Sequence, residues 1–168
     1  MYKRQVVCAL KVLQKIGYKI SDSDIENGIK EATLPARMEV VSEKPLVILD
    51  GGHNEDCIIA LKKAVETYLS GRKTVFLMAF MKDKDYTSAI THIAPLCDRI
   101  VFTNIDKIRG ERTEILETVA KKYCRNVSSC DDALSAFEKT LADIDQNSVL
   151  FVAGSFYLSS EIRNKYFS

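Results

Sequence analysis

From Arg37 onward, short apolar runs and helix-period segments take turns along the chain. Leu46–Leu49, Thr74–Phe80, Arg99–Thr103 and Val149–Ala153 are nearly continuous apolar stretches. A strand with one wet face alternates polar and apolar residues, whereas a strand apolar throughout must be covered on both faces. Helical spacing is read between these runs over residues 55–69, 86–94, 112–123 and 131–142, and again over 157–166. The first helix places Ile58, Leu61, Ala64, Val65 and Leu69 on one side; the fourth places Ala133, Leu134, Phe137 and Leu141. A weak strand is read at 126–128. Strands that alternate with helices in this way predict a parallel sheet with helices on both faces. Met38–Val41 and Leu46–Leu49 flank Ser42-Glu43-Lys44-Pro45, which is short enough for a hairpin and predicts one antiparallel strand at an edge. The expected class is therefore α/β, with about six strands, of which one is antiparallel.

Two further helices precede the sheet. Residues 3–16 set Val6, Val7, Leu10, Leu13 and Ile16 at helical spacing, with Gly17 as the stop. Ser21-Asp22-Ser23-Asp24 offers caps for a second helix carrying Ile25, Ile29 and Ala32, and Pro35 ends it. The plausible boundary is Thr33–Arg37. The chain has 168 residues, enough for a substantial core. Its 24 Lys and Arg against 23 Asp and Glu leave a formal net charge of +1. That balance excludes a nucleic-acid binder, which needs a basic face to displace counterions. The longest apolar run, Val75–Met81, is seven residues, far short of the roughly 20 that span a bilayer, so no membrane partner is expected. Cys8, Cys57, Cys97, Cys124 and Cys130 are odd in number and contain no CxxC. They read as buried free thiols in a reducing cytoplasmic setting rather than as a disulfide framework or metal site.

In an open parallel sheet, ligands bind beyond the carboxyl ends of the strands. Those ends carry Asp50-Gly51-Gly52-His53-Asn54, Met81-Lys82-Asp83-Lys84-Asp85, Thr103-Asn104-Ile105-Asp106 and Gly154-Ser155-Phe156-Tyr157. Two glycines permit a tight strand-to-helix turn with free N–H groups. Asp50 suits ribose hydroxyls, and His53 can donate, accept or titrate near neutrality. The same letters also describe a plain turn with Asn54 capping the next helix. Lys84 reads either as a ligand-facing cation or as part of a solvated charge run, and Ser155 as a carboxylate donor or a helix cap. Arg37, at the boundary, suits phosphate. Arg109, Glu111 and Arg112 read as a solvated loop and helix start, and His92 as structural. Neither a dinucleotide fingerprint nor a phosphate loop is present: Gly51-Gly52 lacks the GxGxxG spacing, and Arg72 precedes Lys73 where glycine is needed. A receiver-like phosphoacceptor role for Asp50 lacks its late-strand lysine, since Ala153 and Gly154 precede Ser155.

Taken in order, Leu34-Pro35-Ala36-Arg37-Met38-Glu39, Asp50-Gly51-Gly52-His53-Asn54, Lys82-Asp83-Lys84-Asp85 and Gly154-Ser155-Phe156-Tyr157-Leu158 resemble a known set. They are similar to the WPGRxE, DGAHNP, DKD and GSLYL patterns of the C-terminal part of the folylpolyglutamate synthases, within the Mur ligase superfamily. Leu34 stands where the pattern has Trp, Ala36 and Gly52 exchange Gly and Ala, and Glu55 stands for Pro. The resemblance implies that residues 1–36 are the terminal helices of a central ATPase domain with its linker, and that 37–168 form a Rossmann-like C-terminal domain. It implies an ATP-dependent ligase that joins L-glutamate to folate through an acyl phosphate. By resemblance, Arg37, Asp50 and Asn54 contact ATP, while His53, Lys84 and Ser155 hold glutamate, with His53 and Lys84 nearest the chemistry. ATP and Mg2+ are the implied cofactors, and no metal ligand is expected in this chain. Folate would be bound by an upstream domain. The chain is expected to be a fragment, inactive alone, of a cytoplasmic and monomeric enzyme. The alternatives are a stand-alone nucleotide- or amino-acid-binding module and a ligase domain for a peptidoglycan-type substrate.

Overall fold

Where the apolar runs fall, the chain is extended, and where the period is 3.6, it is helical. The computed structural model describes residues 2–32 and 34–167. It divides into two compact units, Met1–Leu34 and Pro35–Ser168. Thr33, at the expected boundary, lies outside the described residues. The first unit is a helical pair, α1 (Tyr2–Lys15) and α2 (Asp22–Glu31). Ser21 and Asp24 form a reciprocal capping box that satisfies free N–H groups at the start of α2. Lys11 pairs with Asp22 across the turn.

The second unit contains β1 (Glu39–Glu43), β2 (Leu46–Asp50), α3 (Glu55–Tyr68), β3 (Thr74–Met78), α4 (Tyr86–Ile93), β4 (Arg99–Phe102), α5 (Thr113–Ala120), β5 (Val127–Ser129), α6 (Ala133–Asp143), β6 (Val149–Ala153) and α7 (Phe156–Tyr166). The sheet order is β1-β2-β6-β3-β4-β5, with β1 antiparallel to β2 and the other pairs parallel. The expected class, strand number and single antiparallel edge strand are all found. Some boundaries differ. α4 gives way to a 3-10 turn at Ala94–Leu96, because Pro95 has no N–H to continue the helix. β3 ends at Met78 rather than Phe80, and α5 ends at Ala120.

Each strand sends alternate residues to opposite cores. Phe76, Met78, Ile100, Phe102, Val149 and Phe151 pack with Ile58, Leu61, Ile90, Ile93 and Leu116 of α3, α4 and α5. Val75, Leu77, Val101, Leu150 and Val152 pack with Phe137 of α6 and with Leu158 and Ile162 of α7. This division follows from chain direction. The crossovers from β2 to β5 run one way across the sheet, and the return from β5 to β6 runs the other. Right-handed connections then put their helices on opposite faces. β6 therefore lies between β2 and β3 with its following helix on the opposite face from theirs, so the chain reverses beside it. Asp50 and Met78 are both in register with Ala153, which brings the three strand ends to one level.

No described helix is long and apolar enough to cross a membrane. The expectation of buried thiols holds for Cys124 alone: Cys8 is exposed, and Cys57, Cys97 and Cys130 are half-buried. Cys97 and Cys130 pack against the rims of the two cores rather than inside them.

Candidate functional site

The level strand ends at β2, β6 and β3 each run into a loop, and these three loops, with the loop after β4, line one open cavity. Its volume is about 250 Å³, and its lining includes His53, Asp83, Lys84, Arg109, Ser155 and Tyr157. His53, Lys84 and Ser155, which arrive from three different strand ends, are thus brought together. Arg37, Asp50 and Asn54 do not line this cavity. Arg37 lies in the segment before β1, and Asp50 and Asn54 bound the turn after β2 beside the cavity.

That turn is tightly determined. A Cβ on Gly51 would lie 2.7 Å from Phe156 Cδ2 and 2.9 Å from Phe156 Cα, so only glycine lets the turn approach the start of α7. Asp50 is only 9% exposed, and its carboxylate accepts the N–H of Gly52 at 2.6 Å and of Met38 at 3.0 Å. Burial pushes the Asp50 carboxyl above its ordinary range, against the pull of those two N–H groups and of Arg37. The segment before β1 is held equally firmly. Gly51 donates its N–H to Ala36 O at 2.7 Å, and Ala36 donates its own to Glu39 Oε2 at 2.8 Å. Glu39 in turn receives Arg163 Nε of α7 at 3.0 Å. Ala36 (φ 53°) and Met38 (φ 49°) adopt left-handed conformations on either side of Arg37, a strained arrangement for L residues that these bonds enforce. One guanidinium nitrogen of Arg37, Nη1, is buried with no hydrogen-bond partner among the described residues.

Asn54 caps α3, its Oδ1 accepting Cys57 N–H at 3.0 Å. Ser155, buried, caps α7 by accepting Tyr157 N–H at 3.2 Å. Each accepts through oxygen, so the Asn54 amide and the Ser155 hydroxyl proton stay available as donors. His53 Nδ1 sits 3.1 Å from Gly51 O. A carbonyl only accepts, so neutral His53 carries its proton on Nδ1 and presents Nε2 as an acceptor. Lys84 Nζ donates to Asp83 at 2.8 Å, which holds the Asp83 carboxyl below its ordinary range.

Arg109 was not expected here. The solvated-loop reading holds for Arg109, which is exposed, and is corrected for Glu111, because the loop after β4 folds back onto the segment after β3. Met81 and Gly110 form an antiparallel bridge, Lys82 N–H donates to Arg109 O at 2.9 Å, and Glu111 N–H donates to Phe80 O at 2.8 Å. Glu111 is buried as a result. Backbone pairing between residues so far apart leaves no mark in a local charge pattern. The one usable signal was position, since this loop follows a strand end. Tyr157, read only as part of a motif, receives the Arg109 guanidinium over its ring, 5.8 Å from the centroid. Among the described residues no cluster of His, Cys, Asp or Glu could hold a metal ion.

The sheet is doubly wound, and its cavity lies at the chain-reversal point, the place where open α/β sheets bind ligands. Residues 36–156 match the family model described as Mur ligase, glutamate ligase domain, and the chain belongs to that family. It is 27% identical over 146 residues to the dihydrofolate synthase/folylpolyglutamate synthase of Bacillus subtilis, covering 87% of this chain and 34% of that protein. Among solved structures it resembles Escherichia coli FolC in complex with DHPP and ADP, with a TM-score of 0.85 and 25% identity over 94% of this chain and 37% of that one. It also resembles the Yersinia pestis bifunctional folylpolyglutamate synthase/dihydrofolate synthase complexed with AMPPNP and Mn ion, with a TM-score of 0.81, 25% identity and the same coverage. The chain thus spans about a third of the length of the relatives it matches.

Proposed function

We propose that this chain acts as the C-terminal, glutamate- and nucleotide-contacting domain of an ATP-dependent ligase that adds L-glutamate to a folate. Residues 1–36 correspond in this reading to the last helices of a central ATPase domain, and 37–168 to the glutamate ligase domain. The observation that carries the proposal is the convergence of His53, Lys84 and Ser155 on one cavity. Together they offer an acceptor for the amino group, a cation for a carboxylate and a neutral donor.

In such an enzyme ATP, with Mg2+, supplies the phosphoryl group that activates the folate carboxylate as an acyl phosphate. The glutamate nitrogen then attacks the acyl carbon, the C–O bond to phosphate breaks, and the nitrogen loses a proton. His53 Nε2 is free to accept a hydrogen bond from that nitrogen, while Lys84 and Ser155 fix the carboxylate so that the lone pair points one way. Positioning of this kind supplies much of the rate in a reaction between two bound reactants. The residues beside the cavity fit a nucleotide. Arg37 has an unpartnered buried nitrogen suited to a phosphate oxygen. Each Asp50 oxygen keeps lone pairs for a ribose hydroxyl beyond the N–H it already accepts. The phosphate loop, metal ligands and folate site belong, in this reading, to parts of such an enzyme that this chain does not span, and the enzyme is a cytoplasmic monomer.

The test is a titration of the 168-residue chain with L-glutamate followed by amide resonances. Saturable shifts confined to residues 51–55, 82–85, 106–111 and 154–157, weakened in Lys84→Ala, support the proposal; no saturable shift overturns it. Supplied with ATP, Mg2+, folate and labelled glutamate, the chain alone is expected to form no amide, and ligation by it would refute the division of labour.

A further inference from the structure

The preceding reading uses one cation, Lys84, yet the cavity has two. Arg109 enters from a separate loop and is held from three directions. Its backbone is fixed by the Met81–Gly110 bridge and by Asp106, whose Oδ1 accepts the N–H groups of Ile108 and Arg109, each at 2.8 Å. Its Nε lies 3.4 Å from Asp106 Oδ2, and its guanidinium rests against Tyr157. Gly110 locks the turn, since a Cβ there would lie 2.4 Å from Asp106 O. The Arg109 side chain nevertheless remains 64% exposed, so part of its guanidinium faces the open side of the cavity beyond its contacts with Asp106 and Tyr157.

Asp83 lies within electrostatic reach of both Lys84 and Arg109. The charged lining of the cavity is therefore two cations on different loops and one carboxylate. An amino dicarboxylate presents the opposite set, two carboxylates and one ammonium. Building on the proposed glutamate site, we propose that Arg109 selects the dicarboxylic amino acid, with Lys84 and Arg109 each taking one carboxylate and Asp83 facing the ammonium of the arriving ligand. An amino acid whose side chain ends in a carboxamide would forgo one charge-assisted contact, replacing it with a weaker neutral one. A planar guanidinium already oriented by Asp106 and Tyr157 suits two-point recognition of a carboxylate better than a free ammonium.

The discriminating experiment titrates the full chain with L-glutamate and L-glutamine, isosteres that differ in one charge. The unaltered chain should prefer glutamate by about 10- to 100-fold, the range expected for one charge-assisted contact. Arg109→Met should bring the two ligands within about 3-fold, chiefly by weakening glutamate. Arg109→Lys should restore part of the preference, and circular dichroism of both variants shows whether the fold persists. Ser155→Ala should weaken both ligands by a similar factor. Glutamate preference retained in Arg109→Met overturns this inference and leaves the glutamate site standing. Failure of the unaltered chain to bind either ligand overturns both.

Discussion

Gly154 closes β6 immediately before Ser155, and replacing it with alanine tests whether the cavity depends on the close approach of two strand ends. Gly154 has φ +88°, and a Cβ there would lie 2.8 Å from Ala79 O and 3.0 Å from Phe80 Cζ. Two costs are combined. A left-handed conformation costs an L residue about 1–2 kcal/mol, offset by about 0.4–1 kcal/mol from the stiffer unfolded chain. Forcing a methyl against the backbone of the segment after β3 adds about 1–3 kcal/mol, as overpacking does. Gly71 supplies the control. It has a nearly identical φ of +83° with nothing within 4 Å of its would-be Cβ. Gly71→Ala therefore carries the conformational cost alone. The difference between the two variants isolates the crowding, about 1–3 kcal/mol, or roughly 2–12 °C in Tm for a chain of this size. Thermal and urea unfolding followed by circular dichroism measure it directly. Gly154→Ala should also weaken glutamate binding under conditions where it is folded, because Ser155 must move with it. Equal destabilisation by the two substitutions would refute the claim that β6 and the segment after β3 are held at contact distance.

Three further outcomes follow from the same geometry. Asp50 is raised by burial from its ordinary value of 3.8, so its contribution to stability is greatest below that value and is lost as pH rises through its raised value. Unfolding at a series of pH values should show the advantage of the unaltered chain over Asp50→Asn shrinking from about pH 4 upward; an advantage that grows with pH contradicts burial as the dominant cause. Glu39→Ala removes both the Arg163 pair and the acceptor for Ala36 N–H, and should cost about 1–3 kcal/mol. In Glu39→Ala the Arg37 side chain should lose its fixed position, read as broadened Nε–Hε resonances; Arg163→Met should reproduce only part of the effect. Phe151→Ala removes a fully buried ring stacked 4.8 Å from Phe76 and should cost about 3–5 kcal/mol in denaturant titration, with a cost under 1 kcal/mol contradicting a tightly packed core on this face.

What the sequence made legible, and what it did not, divides along the range of the forces involved. The apolar strands, helix caps and polar strand ends are local. A Val-Leu-Phe-Val-Ala run has few alternatives to a buried strand, and Asn54, Asp85 and Asp132 cap helices as their residue types predict. The place of β6 in the sheet is not local. It is the last strand in the chain yet sits between β2 and β3, and no feature of Val149–Ala153 itself says so. That insertion brings Ser155 to His53 and Lys84; at an edge beside β5 the same residues would have lain several strands away. The left-handed Ala36 and Met38 were equally hidden, because alanine and methionine carry no preference for that conformation; the hydrogen bond donated by Gly51 and those accepted by Asp50 and Glu39 impose it. Arg109 is the sharpest case. In the string Asp106-Lys107-Ile108-Arg109-Gly110-Glu111-Arg112 it is one charge among several, and surface charge is the ordinary meaning of such a string. Only the pairing of Gly110 with Met81 turns that stretch into a wall of the cavity. A residue placed by non-local backbone pairing can change without disturbing any local element. If Arg109 selects the ligand as proposed, the loop that carries it is where a protein of this fold can alter that choice while leaving its core, caps and strand ends intact.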